Sequence, residues 1–75
     1  MFKIYTKNGC PSCVWAKELL SSKGLDFSEV DVMGDDDAMT FFLENNFRTV
    51  PQIYHNNTHI GGFDQLRAYL IEKSL

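Results

Sequence analysis

Two cysteines stand three positions apart, Cys10 and Cys13, with Pro11 and Ser12 between them. Thiols at this spacing can reach one another, so the pair can cycle between dithiol and disulfide. A bond across so short an interval closes a tiny ring and constrains little of the unfolded chain, so its stabilising effect is small. Its value is then chemical. The species that attacks a disulfide is the thiolate, which forms more readily at a helix N-terminus and beside a cation. Both conditions are expected at Cys10. Phe2 to Thr6 reads as a strand, Lys7-Asn8-Gly9 breaks it, and Pro11 fits a first helical turn, where its missing N–H is harmless. Lys7 is the nearby cation. Cys13 falls one turn inside the helix, with less access to solvent. Cys10 is therefore expected to attack, and Cys13 to resolve the mixed disulfide.

His55 and His59 raise a second chemistry, because Cys-x-x-Cys and His-x-x-x-His together suggest zinc. The interval from Cys13 to His55 is far longer than the about 12–15 residues of a two-Cys-two-His site. The histidines also flank Asn56-Asn57, a turn-prone pair, and are expected to be solvated residues of a hairpin. No metal site is expected.

The elements that must hold the cysteines follow from periodicity. From Pro11 to about Lys23, Cys13, Ala16 and Leu20 share one helical face, and Gly24 is a natural stop. Leu25 to Val32 reads as a strand, with Leu25/Phe27 and Val30/Val32 on opposite phases. That requires either a bulge or burial on both faces. Asp35 to Asp37 cap a second helix running to about Asn46. Pro51–His55 and Thr58–Ile60 pair as a hairpin, Gly61-Gly62 breaks the chain, and Phe63, Leu66 and Leu70 mark a last helix. Trp15 is expected to pack on a helix face near the site, and Tyr5, Phe41, Phe42 and Phe47 in or near the core. The order β-α-β-α-β-β-α begins with a right-handed parallel crossover and closes with antiparallel strands. It predicts an α/β thioredoxin fold in its minimal form, a four-stranded mixed sheet with three helices.

Composition bounds the rest. The 75 residues suit one domain, 1–75, and 44% of them are hydrophobic, as in a packed protein. The net charge of −3 and the absence of a basic cluster argue against a nucleic-acid partner. No apolar run approaches the ~20 residues that span a bilayer, and nothing before Lys3 reads as a signal peptide. Few cysteines and no export signal lead us to expect a cytoplasmic, reducing setting.

Three separated motifs resemble the glutaredoxin family along essentially the full chain. Lys7-Asn8-Gly9-Cys10-Pro11-Ser12-Cys13 is similar to the Lys-x-x-Cys-Pro-Tyr-Cys active site of dithiol members. Arg48-Thr49-Val50-Pro51-Gln52-Ile53 resembles the family's Thr-Val-Pro segment, and His59-Ile60-Gly61-Gly62-Phe63-Asp64-Gln65-Leu66 its Gly-Gly motif. The run Gly-Gly-Phe-Asp-Gln-Leu and the opening Met-Phe-Lys are most similar to bacteriophage glutaredoxins.

The resemblance implies reduction of protein disulfides and glutathione mixed disulfides, with glutathione as reducing co-substrate and no bound cofactor. It also implies a cis peptide before Pro51 and a glutathione groove built from Lys7, Ser12, Thr49, Val50, Pro51, Gly62, Phe63 and Asp64. Lys7 would meet the glycine carboxylate, with Arg48 a further candidate. The N–H groups of Phe63 and Asp64, at a helix start, would hold the γ-glutamyl carboxylate. Ser12 replaces the usual tyrosine and removes an aromatic wall. Gln65 stands where many members carry an acid near the glutathione ammonium, so weaker glutathione affinity is expected. These departures leave open a donor recharged by thioredoxin reductase. A second alternative is an iron–sulfur cluster shared by a dimer, although Pro11 is usual in members that assemble none. Otherwise a monomer is expected, with ribonucleotide reductase among the conceivable clients.

Overall fold

The computed structural model describes residues 1–75. The chain runs β1 (Phe2–Thr6), α1 (Pro11–Ser22), β2 (Phe27–Asp31), α2 (Asp36–Glu44), β3 (Gln52–His55), β4 (Thr58–Gly61) and α3 (Phe63–Glu72). The strands form one mixed sheet in the order β2-β1-β3-β4. The β1–β2 pair is parallel, and the β1–β3 and β3–β4 pairs are antiparallel. This is the α/β topology expected from the sequence, with three helices and four strands.

Strict alternation along β1 decides what each face of the sheet buries. Phe2 and Ile4 point to one side and pack with Ala16 and Leu20 of α1, Ile53 of β3, and Leu66 and Leu70 of α3. Tyr5 points to the other side and packs with Val32, Ala38 and Phe42. So α1 and α3 cover one face and α2 the other. Phe41 and Phe47 are partly buried in the second cluster, as expected. Tyr5 and Phe41 stack with centroids 5.1 Å apart.

The two-faced burial also settles the phase conflict in β2. Its register against β1 is unbroken, from Phe2↔Phe27 to Thr6↔Asp31. There is no bulge in that pair. Leu25 and Phe27 reach the α1/α3 cluster, while Val30 and Val32 reach the α2 cluster. Leu25 itself precedes the strand, its N–H donating to the Leu20 carbonyl at 3.0 Å. The irregularity lies elsewhere, between Ile53 and Tyr54 where β3 meets β4.

No helix is long and apolar enough to cross a membrane. Helix α2 is capped as its aspartates suggested: Asp35 Oδ1 accepts the Ala38 N–H at 3.1 Å. Helix α1 is tied to β2 by an ion pair, Lys17 Nζ to Glu29 Oε2 at 2.9 Å. The Thr6 hydroxyl donates to the same oxygen at 3.0 Å. The Lys17 hydrogen bond, helped by Thr6, holds the Glu29 carboxyl below its ordinary 4.5 against an opposing desolvation effect. A carboxylate favoured in the fold stabilises it above the unfolded pKa, and that contribution fades as pH falls through the lower folded value. Both side chains are substantially exposed, so the pair should contribute under about 1 kcal/mol. Glu29→Gln should therefore lower stability slightly at pH 7. Urea melts at decreasing pH should show the two proteins converging once the pH passes below 4.5; a gap that persists in acid would point to packing instead.

Candidate active site

Cys10 ends the loop after β1 and is the N-cap of α1, with extended backbone at φ −105° and ψ 102°. Its carbonyl accepts the Val14 N–H at 3.3 Å. A helix start leaves several N–H groups without partners, and a side-chain oxygen at the N-cap usually accepts one of them. Here the acceptor is sulfur: Cys10 Sγ takes the Cys13 N–H at 3.1 Å. Pro11 stands at the opening of the helix, as anticipated. Cys10 and Cys13 are joined in a disulfide. Cys13 is 3% exposed, whereas Cys10 is only half-buried. Of the two sulfurs, Cys10 is the one an incoming substrate can reach.

Two further segments close on Cys10. The Val50 carbonyl lies 3.6 Å from Cys10 Sγ. In the disulfide that sulfur bears no proton, so this is a close approach; a reduced Cys10 thiol can donate to it. The Val50–Pro51 peptide is cis, as the resemblance implied. Pro51 is buried, and its carbonyl oxygen would stand 3.7 Å from a Cβ placed on Gly62. Cys10, Val50, Pro51 and Gly62 thus form one continuous ledge. Phe63 and Asp64 follow Gly62 as the first residues of α3. Gly62 has no side chain to cap them, so their N–H groups have no side-chain partner.

Lys7 sits on the other flank. A cavity of about 380 Å³ opens beside the disulfide, lined by Lys7, Cys10 and Cys13 together with Thr6, Lys17, Glu29 and other residues. Ser12 is half-buried in the first turn of α1. Thr49 is exposed, and its carbonyl accepts Gln52 Nε2 at 3.0 Å. Arg48 is exposed and lines no part of the cavity. Gln65 is turned onto Gly62, whose N–H donates to Gln65 Oε1 at 3.0 Å. It caps α3, a role the sequence comparison with acidic residues at this place did not suggest.

The sequence also missed Lys17 and Glu29 as cavity residues. Lys17 had a signal, because it lies four residues beyond Cys13 on the same helical face. Glu29 had none, since only the parallel pairing of β2 with β1 brings it there.

The histidines flank the hairpin turn as expected, but their rings are engaged with neighbouring side chains. His55 stacks on Phe2 with centroids 4.2 Å apart and shares a 2.7 Å hydrogen bond with the Tyr69 hydroxyl. His59 is exposed at the strand edge, yet it stacks on Phe47 at 5.0 Å and hydrogen-bonds Gln52 Oε1 at 2.8 Å. The two rings are engaged with opposite faces of the sheet. Trp15 packs less deeply than expected: it is 52% exposed and meets Phe63 edge-on at 5.9 Å.

The glutaredoxin family model matches residues 2–60. The chain belongs to the glutaredoxin family. This glutaredoxin is 46% identical over 67 residues to Glutaredoxin 3 of Escherichia coli (strain K12), covering 88% of this chain and 81% of that protein. It is also 42% identical over 66 residues to the hybrid peroxiredoxin hyPrx5 of Haemophilus influenzae, but spans only 27% of that protein's length. Among solved structures, Glutaredoxin 1 from Francisella tularensis, complexed with cacodylate, superposes with a TM-score of 0.76 at 38% identity. The match covers 97% of this chain and 93% of that one. The glutaredoxin-like NrdH-redoxin of Escherichia coli, described as having a thioredoxin-like activity profile, superposes at 0.79 with 26% identity. That match covers 89% of this chain and 91% of that one. Family and fold together make the chain a glutaredoxin-type thiol–disulfide oxidoreductase.

The unequal exposure of the two sulfurs has a direct consequence in the reduced protein. With limiting iodoacetamide, peptide mapping should find Cys10 alkylated at least about tenfold faster than Cys13, because reactivity follows thiolate character and access. Equal labelling, or preference for Cys13, would contradict the assignment of Cys10 as the reactive thiol.

Proposed function

We propose that this glutaredoxin reduces protein disulfides and glutathione mixed disulfides with glutathione as its electron donor. The observation that carries this is the ledge joining Cys10 to Val50, Pro51 and Gly62, with uncapped N–H groups at the start of α3. An extended peptide lying along it can pair with the Val50 backbone in the manner of strand addition. Its carboxylate then meets the Phe63 and Asp64 N–H groups at the positive end of the α3 dipole. Lys7, across the disulfide, suits the second carboxylate of glutathione, and Ser12 and Thr49 border the same path. Arg48 has no comparable support.

In the proposed cycle the Cys10 thiolate attacks one sulfur of the substrate disulfide. A Cys10 mixed disulfide forms, and the departing thiolate takes a proton from solvent. Cys13 then loses its proton and attacks Cys10 Sγ, which releases the second substrate thiol and leaves the Cys10–Cys13 disulfide. Two glutathione molecules return the pair to the dithiol and leave as glutathione disulfide. For small glutathione adducts a free glutathione thiol can take the place of Cys13. The protein needs no resident cofactor for these steps. Monomeric action in a reducing compartment, on disulfide-bearing clients such as ribonucleotide reductase, fits this scheme.

A second donor is favoured by one observation, the structural likeness to NrdH-redoxin. Ser12, which leaves the site without the usual aromatic wall, weakens the case for glutathione in the same direction. The deciding experiment offers the oxidised protein to glutathione with glutathione reductase and, separately, to thioredoxin reductase with NADPH. Turnover with glutathione is expected. Efficient turnover with thioredoxin reductase alone, and none with glutathione, would reverse the proposal while leaving the thiol chemistry intact.

A further inference from the structure

Gln65 is the third residue of α3, and its side chain folds back over the turn that precedes the helix. Its Oε1 accepts the Gly62 N–H at 3.0 Å, half of the reciprocal pairing seen in a capping box. Glycine cannot supply the other half, so this is the side-chain hydrogen bond that fixes the start of α3. The aliphatic stem is equally engaged. A Cβ added at Gly61 would stand 3.0 Å from Gln65 Cγ, and one added at Gly62 would stand 3.3 Å from Gln65 Oε1. Gly61 also holds φ at +124°, where other residues are strained. The two glycines and Gln65 therefore interlock: the backbone needs glycine, and Gln65 fills the space the missing side chains leave.

That turn governs the proposed substrate ledge. It sets the direction of the Phe63 and Asp64 N–H groups. Through the approach of Gly62 to the Pro51 carbonyl, it also sets their distance from Val50 and Cys10. We infer that Gln65 is a positioning residue, which presets these N–H groups for a substrate carboxylate through the reach of its side chain rather than through charge. The inference rests on the glutathione reading above. An acid acting at this place by charge would face the ligand's ammonium. The amide oxygen here is already engaged with Gly62.

Reach and charge can be separated, because Glu keeps the length and acceptor of Gln, whereas Asp has the charge of Glu on a shorter stem. Gln65→Ala, Gln65→Asp and Gln65→Glu would be compared with the wild type on a glutathionylated peptide. A control is the same peptide in disulfide linkage to 2-mercaptoethanol, which has no carboxylate. Gln65→Ala and Gln65→Asp should raise KM for the glutathionylated peptide about fivefold, the size of one lost cap hydrogen bond, with little change in kcat. KM for the control should not move. Gln65→Glu should stay within about twofold of wild type, as expected of an added surface charge. Hydrogen exchange at the Gly62 amide should quicken in the Ala and Asp variants and not in Glu. Equal lowering of KM by Asp and Glu would show that charge acts, and would overturn the inference. So would an unchanged KM in Gln65→Ala when the wild type prefers the glutathionylated peptide. A wild type that treats the two peptides alike would defeat the glutathione reading itself, and the inference with it.

Discussion

The sulfur of Cys10 sits where a helix ordinarily places a capping oxygen, accepting the Cys13 N–H at 3.1 Å. Much of the site follows from that one contact. A capping side chain reaches the amide three residues on, so the spacing that satisfies the helix start also puts the second cysteine within bonding reach of the first. The first turn of α1 carries Cys13 inward among packed residues while Cys10 stays at the rim. Helix dipole and unpaired N–H groups then favour negative charge on the outer sulfur alone. Opposing this is the Val50 carbonyl at 3.6 Å, whose oxygen is poorly disposed toward a thiolate. An N–H bond plus the ends of a helical turn should outweigh a single, longer carbonyl approach.

The sheet explains why three segments far apart in sequence meet at this sulfur. Because β3 runs antiparallel to β1, Tyr5 pairs with Gln52, and the residues just before β3 lie beside the residues just after β1. Val50 and Pro51 arrive at Cys10 by that register. The hairpin returns β4 so that Gly61 pairs with Ile53, which brings the Gly61–Gly62 turn to the same edge. Burial of Phe2 and Ile4 on one face and Tyr5 on the other holds the register, since a slip of one residue would turn each of them the wrong way.

The sequence was most informative where local chemistry dominates. Pro11 before the first turn, the aspartates before α2, and the glycine pair before α3 each mark a boundary through their own backbone preferences. The cysteine pair was legible for the same reason, its role following from position at a helix start. Long-range facts were not legible. The phases of β2 admitted a bulge, and only a sheet covered on both faces shows why none is needed. His55 looked solvated beside a turn, yet Phe2 and Tyr69, distant in sequence, enclose it. The cap that Gln65 places on Gly62 was not legible either, because its partner is a backbone amide, which composition does not reveal.

The central claim is that helix placement makes Cys10 the stabilised thiolate. Its most direct test is a titration of ultraviolet thiolate absorbance in reduced Cys13→Ser, where Cys10 is the remaining thiol. The geometry predicts a midpoint well below the ~8.5 of a free cysteine. A midpoint at or above that value would contradict the account.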